Sequence, residues 1–174
     1  GRLVTRFELN RTRRYEGWLV RQFDRVLVTS DADKDALKRL ASNYNSSDSI
    51  TSANSETITV LSNGVDLDRF APGNQPREQD GIVFSGKMSY HANVTAALYL
   101  LDDIMPLIWA EKPSVRVWIV GKDPPAAIRQ LATRSPQQII VTGTVSDVRP
   151  YLARATVAVC PMKYGAGIQN KVLE

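Results

Sequence analysis

The sequence predicts an α/β fold built on a doubly wound parallel sheet, and three observations carry that reading. From residue 81 onward, short runs rich in Val and Ile alternate with segments of helical period, four times in 94 residues. That alternation is the pattern of parallel strands whose crossover helices cover both faces of the sheet. Each of the four apolar runs leads into a glycine-bearing loop. The 174-residue composition, 43% hydrophobic and 23% charged, is that of an ordinary globular chain, and no apolar run approaches the roughly 20 residues a membrane span needs.

Taken in order, RTRRYEGWLVRQF sets Tyr15, Trp18, Leu19 and Gln22 or Phe23 at spacings of three and four. This spacing predicts an amphipathic helix near residues 8–22. DRVLVTS (24–30) reads as a short buried strand. In SDADKDALKRLA, Ser30 or Asp31 can cap a helix with acids in its first turn and bases in its last. NYNSSDSITSANSE (43–56) is too polar to bury much apolar surface, so a mobile surface loop is expected. TITVLSN (57–63) is a second strand. The density of Gly, Pro and charge in GVDLDRFAPGNQPREQD (64–80) is that of a connection between domains. The boundaries that follow are a first domain over 1–66, a linker over 67–80 and a second domain over 81–174.

In the second domain, strand GIVFSG precedes helix NVTAALYLLDDIMPLIWAE, for which Asn93 reads as the N-cap. Strand VRVWIVG, helix PPAAIRQLATR, strand IIVTG, helix VRPYLARA and strand VAVCPM follow. A last helix is expected to begin near Gly167. Trp109 and Trp118 fall at positions that suit packing. Cys160, inside VAVCPM, suits a small buried hydrophobe.

The charge is local. Arg2, Arg6, Arg11, Arg13 and Arg14 against Glu8 account for the whole net charge of +4, and residues 15–174 are balanced. A nucleic-acid surface is therefore not the natural reading. The arginines suit a solvated helix face, with an anionic membrane or acceptor lipid as the alternative. GRLVTRFELNRTRR has no apolar stretch behind its basic residues and is not a signal peptide. One cysteine and one histidine are too few for a structural zinc site, which needs about four ligands.

In doubly wound sheets, ligands bind outside the carboxyl ends of the strands. The loops there are GKMSYHAN (86–93), GKDPP (121–125), GTVSDVRP (143–150) and KYGAGIQN (163–170). Glycines at helix starts expose backbone N–H groups to a phosphate, so four aligned loops favour a nucleotide-type ligand. GAGIQN matches only the first two glycines of G-x-G-x-x-G, with Asn170 at the third, and it follows the fourth strand of the unit instead of its first. That position disfavours an NAD-dependent oxidoreductase. A Gly-Lys-Ser/Thr phosphate loop is absent.

SNGVDLDRFAP (62–72), GKMSYHANVTAALYLLDDIMPLI (86–108) and GTVSDVRPYLARATVAVCPMKYGAGIQNKVLE (143–174) together resemble the GT-B glycosyltransferases of the group 1, or GT4-like, type. The resemblance spans essentially the whole chain. It implies two Rossmann-like domains, an acceptor-side one ending near residue 66 and a donor-binding one from residue 81, and it makes this chain similar to an internal piece that is catalytically incompetent alone. It implies a sugar moved from a UDP- or GDP-linked donor to a saccharide or lipid-linked acceptor hydroxyl. Retention of configuration, no metal, no further cofactor, a role in polysaccharide biosynthesis and a cytoplasmic setting, at the inner membrane face if the arginines bind lipid, are implied with it. A non-catalytic glycosyltransferase-like binding module is the alternative.

Residue by residue, the resemblance puts Gly86 and Lys87 at the donor diphosphate and Val145 and Asp147 in the loop bordering the base. Gly165, Gly167 and Ile168 would offer backbone N–H groups, and Glu174 would bind the ribose. A second lysine usual a few residues after Lys87 is missing, since Tyr90, His91, Ala92 and Asn93 stand there, and Lys171 could supply its charge. His91 could reach a donor phosphate or serve in capping or packing. The first of the family's paired glutamates is replaced by Ala166. DAD (31–33) and DLD (66–68) have the form of a metal-binding DxD, but one sits at a helix start and one in the linker, where structural roles are expected.

Overall fold

The computed structural model describes residues 2–43, 57–73, 76–165 and 169–173. The polar loop expected over 43–56, apart from Asn43, and the helix start expected near Gly167 lie outside them. The chain divides after Gly64 into two compact units.

The first unit consists of α1 (Arg2–Val20), β1 (Val26–Val28), α2 (Asp31–Asn43) and β2 (Ile58–Val60). The two strands pair in parallel, from Val26 opposite Ile58 to Val28 opposite Val60. Val20, Ala41 and Ile58 form its buried core, with Val26, Val28 and Leu37 packed against them. Ser30 opens α2: its Oγ accepts the Asp33 backbone N–H at 3.2 Å and donates to the Asp33 carboxylate at 2.7 Å, a side-chain N-cap. Asp31 and Asp33 occupy the first turn as expected, but the helix runs past Lys38 and Arg39 to Asn43, so its last turn carries no basic residue. α1 begins earlier than its aromatic spacing predicts, at Arg2.

The second unit is a three-layer sandwich. Its strands are β3 (Gly81–Ser85), β4 (Arg116–Val120), β5 (Ile139–Gly143) and β6 (Val157–Ala158), in spatial order β5-β4-β3-β6 and all parallel. Alternate residues of each strand point to opposite faces. On one face Phe84, Val117 and Ile119 pack against Ala96, Ala97, Leu100, Leu101, Met105 and Ile128. These come from α3 (His91–Tyr99), the π-helical turn Leu100–Ile104, α4 (Met105–Glu111) and α5 (Ala126–Arg134). On the other face Val83, Trp118 and Val120 meet Ala155 and the side chains of Tyr151 and Leu152, at and just after α6 (Arg149–Arg154). Each large side chain removed from water this way contributes about 1.5–3 kcal/mol.

Pro106 accounts for the π turn. It has no N–H for the carbonyl four residues back and its ring crowds that carbonyl. The helix widens just before it, where the Met105 N–H bonds Leu100 O five residues back. The helix starts two residues before Asn93, at His91, with Tyr90 in extended conformation as its cap residue. Asn93 is not the cap.

Strand order positions the ligand face. The chain moves outward from β3 through β4 to β5, then returns by α6 to place β6 on the other side of β3. The sheet thus reverses direction between β3 and β6, and the crevice at such a switch point is where doubly wound sheets take ligands. Gly121 follows β4 directly, and the β3–β4 pairing extends past the strand ends, with Gly86 N–H donating to Val120 O at 2.9 Å and Met88 N–H to Lys122 O at 2.8 Å.

Candidate functional site

That extension brings two Gly-Lys pairs side by side. Ser85, Gly86, Lys87, Val120, Gly121, Lys122, Val145 and Val148 line one cleft of about 340 Å³. A β-carbon on Gly121 would stand 1.8 Å from the Gly86 carbonyl oxygen, and Gly121 has φ +150°. Only glycine lets the two backbones come this close. The consequence is chemical, because two exposed lysines, Lys87 and Lys122, follow the paired glycines at the mouth of the sheet.

A third lysine stands beside them. Asn93, 7% exposed, donates from Nδ2 to the Lys87 carbonyl at 2.9 Å and accepts at Oδ1 from Lys171 Nζ at 2.6 Å. Lys171 Nζ also lies 4.9 Å from the Phe84 ring centre, within cation–π range. A β-carbon on Gly86 would meet Asn93 Nδ2 at 2.9 Å and Lys171 Nζ at 3.1 Å. Lys171 and its neighbours Asn170 and Val172 form a 3₁₀ turn, closed by Leu173 N–H to Asn170 O at 2.8 Å, where the sequence predicts α-helix.

The loop after β6 is tied to the same corner. Tyr164 Oη lies 3.0 Å from His91 Nδ1 and 2.9 Å from Thr95 Oγ1, and the Tyr164 and His91 rings stack at 5.5 Å. Lys163 Nζ sits 3.8 Å from the Tyr99 ring centre. Tyr164 thereby holds the chain entering Gly165 against the first turn of α3. His91 is committed to that tyrosine.

Of the residues singled out from sequence, Gly86, Lys87 and Val145 line one cleft, and Lys171 adjoins it at Gly86. Asp147 lies apart. Its carboxylate pairs with Arg149, with Nε at 3.0 Å from both oxygens and Nη2 at 2.7 Å from Oδ2. It faces a separate crevice of about 440 Å³ that Arg69, Phe70 and Arg77 also line. The Arg149 hydrogen bonds hold Asp147 below the usual carboxylate range. Gly165 is exposed after Tyr164, whereas Gly167, Ile168 and Glu174 lie outside the described residues.

The two DxD-like stretches have local structural roles. Asp33 belongs to the cap of α2, and Asp66 Oδ1 accepts the backbone N–H groups of Asp68 and Arg69 at 3.1 and 3.0 Å. Trp109 donates to Val115 O at 2.8 Å and Trp118 is buried at 8% exposure, so both pack. Cys160 is half-buried instead of fully enclosed.

The family pattern described as "Glycosyl transferases group 1" matches residues 79–174, which contain the sheet and the cleft. The chain belongs to this family. The fold of this group 1 chain is similar to the crystal structure of TarM, with a TM-score of 0.58 at 11% identity over 81% of this chain and 26% of that one. It is also similar to the pneumococcal O-GlcNAc transferase GtfA in complex with UDP and GlcNAc, with a TM-score of 0.56 at 13% identity over 83% of this chain and 26% of that one. The parallel-sheet α/β fold matches the GT-B glycosyltransferase fold expected from the sequence. The group 1 chain spans about a quarter of the length of these structures. No curated protein matches it in sequence.

Sequence reasoning put Gly121, Lys122 and Tyr164 in ligand-facing loops of the group 1 chain but gave none of them a role of its own, and it read Asn93 as a cap. A signal for the first two was present, since Gly-Lys recurs at 86–87 and 121–122, each time at the end of a strand. Nothing local marks the contact of Tyr164 with His91 or of Asn93 with Lys171, which join residues 73 and 78 apart.

Proposed function

We propose that this chain carries the donor side of a glycosyltransferase that moves a sugar from a nucleoside diphosphate to an acceptor hydroxyl. The observation that carries the reading is the cleft at the ends of β3 and β4, lined by Lys87 and Lys122 and adjoined at Gly86 by Lys171, in a group 1 glycosyltransferase chain. In the transfer, the bond from the anomeric carbon to the diphosphate oxygen breaks and its electron pair stays on the phosphate. The acceptor oxygen then bonds to that carbon, and its proton passes to the departing diphosphate oxygen. Charge grows on the leaving diphosphate, and preorganised lysines and backbone N–H groups stabilise it there. Val145 and Val148 supply an apolar wall suited to the nucleoside.

Retention of configuration, independence of metal and a hexosyl donor complete the proposal. The UDP bound in the GtfA structure makes uridine diphosphate the first ligand to test. Asp147, as part of the base-bordering loop, would act through backbone, since Arg149 holds its carboxylate. Gly165, Gly167, Ile168 and Glu174 keep their proposed contacts to the sugar, phosphate and ribose. The exposed Phe7, Tyr15 and Trp18 on the Arg-rich α1 support peripheral membrane contact and a lipid-linked acceptor, at the cytoplasmic face.

The test is calorimetric titration of the full-length protein with UDP, GDP, ADP, TDP and NAD. Saturable binding of one nucleoside diphosphate, with its release when the sugar donor and acceptor are mixed, is expected. Folded protein that binds none of them would favour the non-catalytic module, the reading that Ala166 supports by replacing the first family glutamate.

A further inference from the structure

We infer that Asn93 is a positioning residue that sets the Lys171 ammonium beside Gly86, so that Lys171 acts as the second diphosphate-binding cation alongside Lys87. The inference rests on the donor-site reading above and adds to it how that charge is delivered. Lys171 is 84 residues from Lys87 in sequence, and a lysine side chain carries many rotamers. Its Nζ nevertheless meets Asn93 Oδ1 of α3 at 2.6 Å, the Phe84 ring of β3 at 4.9 Å, and the bare face of Gly86, where a β-carbon would come within 3.1 Å.

Asn93 is built for this bridge. It is the buried polar side chain among the described residues of the core, and a buried amide is costly unless both of its ends are bonded. Its Nδ2 is spent on the carbonyl of Lys87 itself, which fixes the loop that carries the first cation. Its Oδ1 takes the second cation. One side chain thus sets the backbone of Lys87 and the head group of Lys171. A neutral amide does this without cancelling the charge, whereas an aspartate there would neutralise the ammonium. Gly86 completes the arrangement, because any side chain would occupy the space in which Asn93 Nδ2 and Lys171 Nζ lie. Cations ordered before the ligand arrives bind it without the cost of arranging them afterwards.

The experiment is a double-mutant cycle on the full-length protein, read as the dissociation constant for UDP, or for whichever diphosphate the wild type binds. Asn93→Ala and Lys171→Met are each expected to weaken binding about tenfold. The double variant should be no weaker than the worse single, because Asn93 acts through Lys171. Asn93→Ser, a smaller disturbance, takes the place of Asn93→Ala where the latter does not fold, with the same expected non-additivity. Losses that multiply, or an Asn93 variant that lowers thermal stability while leaving diphosphate affinity unchanged, would reduce Asn93 to a structural role and overturn the inference alone. Wild-type protein that binds no diphosphate would overturn the donor-site reading and this inference together.

Discussion

Gly121 and Gly86 touch backbone to backbone: a β-carbon on Gly121 would stand 1.8 Å from the Gly86 carbonyl oxygen. This contact lets the pairing of β3 and β4 run on into both loops, and so brings Lys87 and Lys122 to one cleft. Gly121→Ala should therefore cost about 3 kcal/mol, since the overlap is with backbone and cannot be relieved by a rotamer change. Gly143→Ala is the control. That glycine has φ +68° with nothing within 4 Å, so only the left-handed backbone is penalised, by about 1–2 kcal/mol. Urea unfolding of both variants measures the difference, and equal losses would remove the close approach as the cause.

Lys87→Ala should weaken nucleoside diphosphate binding by about 1–3 kcal/mol, the scale of one charge-assisted hydrogen bond. Lys122→Ala, on the neighbouring loop of the same cleft, should weaken it in the same direction. Titration calorimetry decides the matter. Unchanged affinity in the Lys87 variant would take that residue out of the site.

Asp147 and Asp80 predict how stability responds to acid. Hydrogen bonds from Arg149 lower the Asp147 pKa, and hydrogen bonds from Lys112 and Ser114 lower that of Asp80. A carboxylate depressed in the folded state stabilises it fully above its unfolded pKa of about 3.9, and the contribution fades as pH falls through the lower folded value. Wild type and Asp147→Asn should differ in urea midpoint at pH 7 and converge once the pH falls below the depressed folded value. A gap that widened on acidification would contradict the sign.

Tyr164 joins the β6 loop to α3 through both its hydroxyl and its ring. Tyr164→Phe keeps the stack on His91 and loses the hydroxyl contacts, which on this partly exposed side chain should cost about 1 kcal/mol or less. Tyr164→Ala loses both and should cost more. The same ranking should hold for diphosphate affinity if the tyrosine orients the glycine-rich loop. Matching losses in the two variants would show that the ring contributes nothing.

The sequence by itself determined the elements and their class. Val- and Ile-rich runs such as RVWIV and the helical spacing after Asn93 are local consequences of burial on two faces or one, so period alone reveals them. Glycines at strand ends likewise marked the loops that a ligand would meet, and Gly86, Lys87 and Val145 are brought to one cleft. Tertiary structure alone decided which of the remaining residues share that corner. Lys171 reaches it because β6 returns to the far side of β3, Asp147 is drawn away by Arg149, and Asn93 turns from capping its helix to bridging two loops. Propensity and period act over a few residues. A buried amide finds its partners, and a lysine its place, only where the sheet order brings distant segments into contact.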